Sequence, residues 1–93
     1  MDYRNMDYRE RYKLQYGYTD EMLQIDDLME ELAAKRSKAR VLTHDETVYI
    51  GVAGHYCKAD DEEDGFATFS VDTEDKGSWC LGVNEIKSIS EIT

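Results

Sequence analysis

The hydrophobic period of the chain changes near residue 40, and this change constrains the fold more than any other feature. Before that point, apolar residues recur at intervals of three and four, which places them on one face of a helix. These residues are Ile25, Leu28, Met29 and Leu32. After it, apolar and polar residues alternate, as in the stretch TVYIGV over residues 47–52, and this alternation is typical of strands. The sequence therefore predicts an α+β fold.

The helix is predicted over residues 19–36. Thr19 is a suitable N-cap, because its hydroxyl can accept from the unpaired amides of the first turn. Tyr18 and Leu23 have the spacing of a hydrophobic staple, and acidic residues begin the helix while basic residues end it. The polar face is acidic and comprises Asp26, Asp27, Glu30 and Glu31. We expect the opposite, apolar face to pack on the strands of the same domain.

Five strands are predicted, and turn-forming residues separate them. The segments are residues 40–42, 47–57, 66–72, 78–83 and a last short strand within 84–92. Gly51 and Gly54 lie inside the long second segment, where glycine permits a sharp bend or a close backbone approach. Five short strands with one bent member predict a small closed or nearly closed antiparallel barrel, with the helix covering one open end.

Alternation also assigns side chains to the two faces of the sheet. In the second strand, one face carries Val48, Ile50 and Val52, and the other carries Tyr49, Gly51, Ala53 and His55. Trp79 shares a face with Leu81 and Val83, so we expect its ring to be buried in the barrel. Any exposed part of the ring would serve as an interface anchor.

Residues 1–18 differ in character from the predicted barrel. The motif DYR occurs twice, and Tyr8, Tyr12 and Tyr16 are four residues apart, so they can line one face of a short helix. Gly17 would then end that helix. Tyrosine is favoured at protein interfaces, so these three residues are predicted interface aromatics. A frayed arm with a chance repeat is the alternative interpretation.

Length and composition fit one domain over residues 19–93. The chain has 93 residues, 41% of them hydrophobic, and no proline. A chain of this length supports one modest core rather than a deep cleft. No apolar run approaches the ~18 residues of a membrane span, and no signal peptide is visible. Cys57 and Cys80 are too few for a disulfide framework and too far apart for a metal-binding pair, so a reduced, cytoplasmic setting is expected.

The net charge of −10 is concentrated after residue 40. Residues 41–93 carry three basic and twelve acidic side chains, which repel phosphate backbones and attract basic protein surfaces. We predict that loops at a common end of the barrel join these acids into one partner-binding face. Its residues are Asp60, Asp61, Glu62, Glu63, Asp64, Asp72, Glu74 and Asp75. A solvated hairpin loop that discourages aggregation is the simpler interpretation of the 60–64 cluster.

The second half of the chain resembles the Sm-like (LSM) branch of the small SH3-like barrels. A long second strand in that family has a YxGxVxxY-like rhythm, matched here by Tyr49, Gly51, Val52 and Tyr56. An acidic loop follows, and the run NEIKSI over residues 84–89 resembles the family's xxIKSIE-like run. The resemblance covers about residues 19–92. It implies an N-terminal amphipathic helix followed by a five-stranded, strongly bent antiparallel SH3-like/Sm-like β-barrel.

Neither catalysis nor a bound cofactor or metal is predicted. His55 and Cys57 share a strand face, but such neighbours lie ~6.5–7 Å apart, too far for a nucleophile and its base. The acids of residues 60–64 imitate the start of an EF-hand calcium loop, yet its twelfth position is Val71 instead of glutamate. No phosphate-binding loop or other cofactor motif is present. The chain is therefore interpreted as a non-enzyme.

The sequence favours an acidic, non-catalytic module that binds another protein, with self-association through a barrel edge as a variant. One alternative is a nucleic-acid mimic, similar to small phage inhibitors such as anti-CRISPR proteins, that docks on a basic groove of a nucleic-acid enzyme. A second alternative, implied by the Sm-like resemblance, is RNA binding. RNA-binding members of that family carry a basic pair after strand four, and residues 81–87 lack one. Direct nucleic-acid and membrane binding are therefore not expected.

Overall fold

The computed structural model describes residues 6–92, which form two helices followed by five strands. The helices are α1 (Tyr8–Tyr16) and α2 (Asp20–Lys35). The strands are β1 (Lys38–Thr43), β2 (Val48–Cys57), β3 (Thr68–Thr73), β4 (Gly77–Gly82) and β5 (Ile86–Glu91). A 3-10 turn, Ala59–Asp61, lies between β2 and β3. The predicted α+β fold is confirmed, while the first DYR motif falls outside the described residues.

Helix α1 is short, and residues outside it satisfy its terminal backbone groups. The Asp7 side chain accepts from the backbone N–H of Arg9 at 3.3 Å. At the other end, Gly17 has a φ of 77°, and its N–H is directed to the carbonyl groups of Tyr12 and Lys13. Glycine adopts this left-handed conformation without the steric cost that a Cβ would bring, so the helix ends there.

Helix α2 begins at the predicted cap, but its buried face is rotated from the predicted one. The Thr19 hydroxyl accepts from the N–H of Met22 at 3.1 Å. The buried residues are Leu23, Ile25, Asp26, Met29 and Leu32. Leu28, predicted to be buried, is exposed, and Asp26, predicted on the polar face, is buried. The reason is tertiary: the hydroxyl of Tyr56 on β2 donates to Asp26, so this side of the helix faces the sheet.

The five strands form one antiparallel sheet in the order β4-β3-β2-β1-β5. β2 is the longest strand and lies at the centre, and its register shifts between Gly54 and Cys57, where His55 has a φ of 47°. A Cβ at Gly51 would lie 2.1 Å from the carbonyl oxygen of Asp72, so only glycine permits this approach of β2 and β3. The N–H of His44 donates to the Glu85 carbonyl, which brings two turns together as the sheet curls.

The core lies between the inner face of this bent sheet and α2, which packs on β2, β3 and β5. Its largest fully buried side chains include Phe69, Leu23, Met29, Leu32 and Ile86. On β2, Tyr49 and Ala53 point inward, while Ile50 and Val52 are exposed on the outer face. Among residues 6–92, no helix has the length and apolar character needed to cross a membrane.

Trp79 departs from its predicted burial, since 45% of its surface is exposed. It lies beside the turn between β3 and β4, and its indole Nε1 donates to the carbonyl of Lys76 at 2.7 Å. The ring packs on buried Tyr49, with 5.6 Å between the ring centroids. Trp79 is on the inner face as predicted, but it covers the end of the core instead of lying within it.

Candidate functional site

The acidic cluster of residues 60–64 forms the 3-10 turn and the loop that leads into β3. Its first member, Asp60, is occupied by contacts within the chain. The two Asp60 carboxylate oxygens accept from Arg11 Nη1 at 2.6 Å and Nη2 at 2.5 Å, and the Tyr16 hydroxyl donates at 2.9 Å. The hydrogen bonds from Arg11 hold the pKa of Asp60 at about 2. Asp60 therefore anchors α1 to the loop.

Two other acids shape the loop itself. Glu62 accepts from the hydroxyl of Thr68 at 3.2 Å, and Asp64 accepts from the backbone N–H of Phe66 at 3.0 Å. Asp61 and Glu63 are exposed and form neither a hydrogen bond nor an ion pair with another residue of the described range 6–92. Asp60 and Glu62 are therefore held by contacts within the chain, Asp61 and Glu63 face solvent, and Asp64 both shapes the loop and is exposed.

The remaining predicted acids lie elsewhere. Asp72 is on the outer face of β3, opposite Val52 of β2, and Glu74 and Asp75 follow in the turn after β3. Asp75 also pairs with Lys76 at 3.1 Å. The 60–64 loop precedes β3, whereas Asp72 lies near the end of β3 and the turn with Glu74 and Asp75 follows it. The six residues of the strand, about 17 Å, therefore separate Glu74 and Asp75 from the loop. The prediction that both form one negative face is wrong, because consecutive connections lie at opposite ends of the strand they flank.

The structure adds a second acidic element beside the loop, which is the exposed face of α2. Helix α1 lies between the two elements and forms ion pairs with both. Arg11 contacts Asp60, whereas Arg9 contacts Asp27 and Lys13 contacts Asp20 of α2, each at 2.5 Å. The Tyr8 hydroxyl also donates to Asp27 at 3.0 Å. Helix α1 therefore contributes basic side chains between the acidic loop and the acidic face of α2.

The predicted interface tyrosines do line one face of α1, since consecutive rings of Tyr8, Tyr12 and Tyr16 lie 5.6 Å apart. That face is turned towards the body of the protein. Tyr12 is only 5% exposed and packs 5.1 Å from the Tyr18 ring, and burial raises its pKa to about 12. Tyr16 is half-buried against Asp60, so Tyr8 is the member of the set with the largest exposed fraction.

A cavity of about 280 Å3 lies where α1, α2 and the end of β2 meet. Its acidic and aromatic lining residues are Tyr8, Tyr12, Asp26, Asp27, Glu30 and Tyr56. Burial raises the pKa of Asp26, and the Tyr56 hydroxyl bonded to it opposes that change. Neither Asp26 nor Tyr56 is among the predicted site residues. Asp26 is four residues from Met22 and three from Met29, which places it within an apolar arc and indicates that it is buried, without indicating its partner.

No family model matches the chain, and no curated protein sequence matches it. Two solved structures are similar in fold. YaeO from Vibrio cholerae O395, bound to magnesium, shares 16% identity with a TM-score of 0.59, over 72% of this chain and 82% of that chain. XC5848 from Xanthomonas campestris, which adopts a novel variant of the Sm-like motif, shares 12% identity with a TM-score of 0.56, over 82% of this chain and 91% of that chain.

These similarities define the fold class of the chain. It has the small, bent β-fold of Sm-like proteins, preceded by helices, and the predicted Sm-like resemblance is confirmed for the fold. At 12–16% identity the likeness carries no information about ligands or partners.

Proposed function

We propose that this protein is a non-catalytic acidic module that docks on a basic surface of another protein. The observation that carries the proposal is the 3-10 turn with the loop that follows it, where Asp61, Glu63 and Asp64 are exposed and form no ion pair with residues 6–92. The neighbouring face of α2 adds Glu30 and Glu31, which are also exposed. Negative charge on both elements raises the association rate with a basic partner and makes it sensitive to salt.

The loop is held in shape before any partner arrives, which favours a binding role. Asp60, Glu62 and Asp64 each accept a hydrogen bond from a residue outside the 60–64 cluster. A surface that is ordered in advance loses less conformational freedom on binding, so more of the contact free energy appears as affinity. A loop needed only for solubility would not require this internal bonding.

The partner class that fits best is a protein with clustered lysine and arginine, as in grooves that bind nucleic acid. An array of carboxylates on a fixed scaffold presents to such a groove the charge that a phosphate backbone would present. Inhibition of a nucleic-acid enzyme by occupation of its groove is one consequence of this mode, and it stays a prediction. Self-association through the edge strands β4 and β5 is also a prediction, which light scattering at high concentration checks.

RNA binding is the second candidate, and one observation favours it. Lys38 and Arg40 are exposed on the outer face of β1 and form no ion pair with another described residue. However, Lys38 shares a groove of about 360 Å3 with Asp72, Glu74 and Asp75, whose charges oppose a phosphate. Titration of labelled oligo-U RNA at low salt tests this candidate, and saturable binding there would favour it over the acidic module.

The test of the proposed function compares two triple variants that remove the same charge from opposite ends of β3. One variant combines D61N, E63Q and D64N, and the matched control combines D72N, E74Q and D75N. Both are used with wild type to capture proteins from a bacterial lysate, followed by quantitative mass spectrometry. We expect a partner with a basic surface that salt elutes, that the first variant loses and that the control keeps. Equal capture by both variants would overturn the proposal.

A further inference from the structure

The cavity between α1, α2 and the end of β2 is large enough for one side chain and lies just below the usual size range of small-molecule pockets. Its volume is about 280 Å3, whereas small-molecule pockets commonly measure ~300–1,000 Å3. It lies next to the acidic loop, since Lys58, the residue before the 3-10 turn, is one of its lining residues. The lining combines three tyrosine rings and three carboxylates with the single ammonium group of Lys58, which forms no ion pair with another residue of the range 6–92.

The three carboxylates differ in the hydrogen bonds and ion pairs that they form with the rest of the chain. Asp27 accepts from Arg9 at 2.5 Å and from Tyr8 at 3.0 Å. Asp26 is only 4% exposed, and its one hydrogen bond with a described residue comes from the neutral hydroxyl of Tyr56. Glu30 forms no hydrogen bond or ion pair with another residue of the range 6–92. A buried carboxylate without a cationic partner is costly, so the cavity favours a positively charged group.

The chain itself shows which cation suits this combination of groups. The guanidinium of Arg9 bonds to Asp27 while its Cζ lies 6.0 Å from the centre of the Tyr8 ring. The guanidinium of Arg11 bonds to Asp60 while its Cζ lies 5.1 Å from the centre of the Tyr12 ring. A guanidinium is planar and weakly hydrated, and it stacks on aromatic faces while it donates to a carboxylate, which an ammonium group does less well.

We propose that this cavity binds the guanidinium group of an arginine side chain that a partner protein supplies. The inference rests on the proposed function and deepens it, because it names one anchor of the basic partner. Asp26 and Glu30 accept from the guanidinium, inside a cavity whose walls include the rings of Tyr8, Tyr12 and Tyr56. The acidic loop attracts the partner, and the cavity then selects arginine over lysine.

The direct test titrates the full chain with the peptide acetyl-Gly-Arg-Gly-amide and follows backbone amide signals by NMR. The matched lysine peptide is titrated at the same ionic strength. We expect saturable shifts at Asp26, Glu30 and Tyr56, with a dissociation constant of about 1 mM, and binding of the lysine peptide about threefold weaker or more. Equal titration by both peptides, or shifts confined to the 60–64 loop, would overturn the inference.

Two exposed residues of α2 provide a variant and its control. Glu30 lines the cavity, whereas Glu31, its exposed neighbour on the same helix, does not. We expect Glu30→Gln to weaken binding of the arginine peptide about two- to fivefold, as loss of a partly screened charge pair does. Glu31→Gln should leave the affinity unchanged, although it removes the same charge. If both variants weakened binding of the arginine peptide equally, general electrostatic attraction would explain the binding, and the inference would be overturned.

The same measurements separate this inference from the proposed function. The loop variant D61N, E63Q and D64N should lose partner capture but keep its affinity for the arginine peptide. Absence of peptide binding together with intact partner capture overturns the cavity inference alone. Intact peptide binding in a protein that captures no basic partner overturns the proposed function alone.

Discussion

Arg11 and Asp60 form a bidentate ion pair that joins α1 to the loop before β3, across 49 positions of the sequence. Both Arg11 nitrogens lie within 2.6 Å of a carboxylate oxygen, and Tyr16 donates to the same carboxylate. The pair therefore determines two features at once: the docking of the tyrosine-rich helix and the shape of the acidic loop.

Replacement of Asp60 by Asn is expected to lower the free energy of unfolding by about 1 kcal/mol near neutral pH, because the pair is partly exposed. The pKa of Asp60 is about 2 in the folded protein, below the ~3.9 of an unfolded aspartate. The ion pair therefore stabilises fully above about pH 4 and is lost as the pH falls through about 2. Urea unfolding can be followed by circular dichroism at about pH 4 and about pH 2. The difference in the free energy of unfolding between wild type and Asp60→Asn should be smaller at the lower pH.

Asp61→Asn is the control for this prediction, since Asp61 is the exposed neighbour without a partner among residues 6–92. It removes the same charge, and its stability should stay within about 0.5 kcal/mol of wild type. A pH-independent loss of stability in Asp60→Asn would contradict the assignment, because it would reflect packing instead of charge.

Gly51→Ala is expected to destabilise the protein by about 3 kcal/mol or more. The added Cβ would lie 2.1 Å from the carbonyl oxygen of Asp72 and 2.5 Å from its carbon, so two paired strands would have to separate. Gly54→Ala on the same strand is the control, because its nearest neighbour would be the Ser70 hydroxyl oxygen at an ordinary 3.5 Å. Thermal unfolding should give Gly51→Ala a much lower melting temperature than Gly54→Ala. Equal melting temperatures would contradict the strand register.

Trp79 is the only tryptophan of the chain, so its fluorescence reports on one position. With 45% of its surface exposed, we expect acrylamide to quench it readily in the folded protein. Trp79→Ala should cost about 1–2 kcal/mol, less than the ~3–5 kcal/mol of a fully buried tryptophan, because the ring is half exposed and the variant loses only its contact with Tyr49 and its hydrogen bond to the Lys76 carbonyl. Trp79→Phe keeps a ring over Tyr49 and should retain most of the stability. Strong protection from acrylamide would show that the ring is buried after all.

The parts of the fold that the sequence predicts are those set by local spacing. The Thr19 cap, the α2 helix and the succession of strands follow from residues within a few positions of one another. The face assigned to Trp79 was correct for the same reason, since alternation is local. Its exposure was not predicted, because burial there depends on where the curled sheet ends relative to the core.

The candidate site was harder to predict because it depends on pairings between distant segments. No local signal indicates that Arg11 meets Asp60 or that Tyr56 meets Asp26, which lie 49 and 30 positions apart. The acids do not form one face because the loop before β3 and the turn after it lie at opposite ends of that strand. Charge composition predicted that an acidic surface exists, whereas the fold determines which of its carboxylates are already occupied.

The hydrogen bond from Tyr56 to Asp26 links β2 to a buried carboxylate of α2 beside the cavity. Tyr56→Phe removes the donor while Asp26 stays buried, which should cost about 1–3 kcal/mol near neutral pH. Tyr8→Phe is the control, because the Tyr8 hydroxyl donates to Asp27, an exposed carboxylate that water can also solvate. The control should lose less than about 1 kcal/mol.

The pH dependence of Tyr56→Phe distinguishes a hydrogen bond from simple packing. Burial raises the pKa of folded Asp26, and the Tyr56 hydroxyl opposes that increase, so its removal should raise the pKa further. A raised pKa means that the contribution of Asp26 to stability is fully present below the unfolded value of ~3.9 and is lost as the pH rises through the folded value. The variant should therefore approach wild-type stability in acid and fall behind it as the pH rises. A deficit that is constant with pH would show that Tyr56→Phe leaves the pKa of Asp26 unchanged, and it would contradict a hydrogen bond that favours the ionised carboxylate.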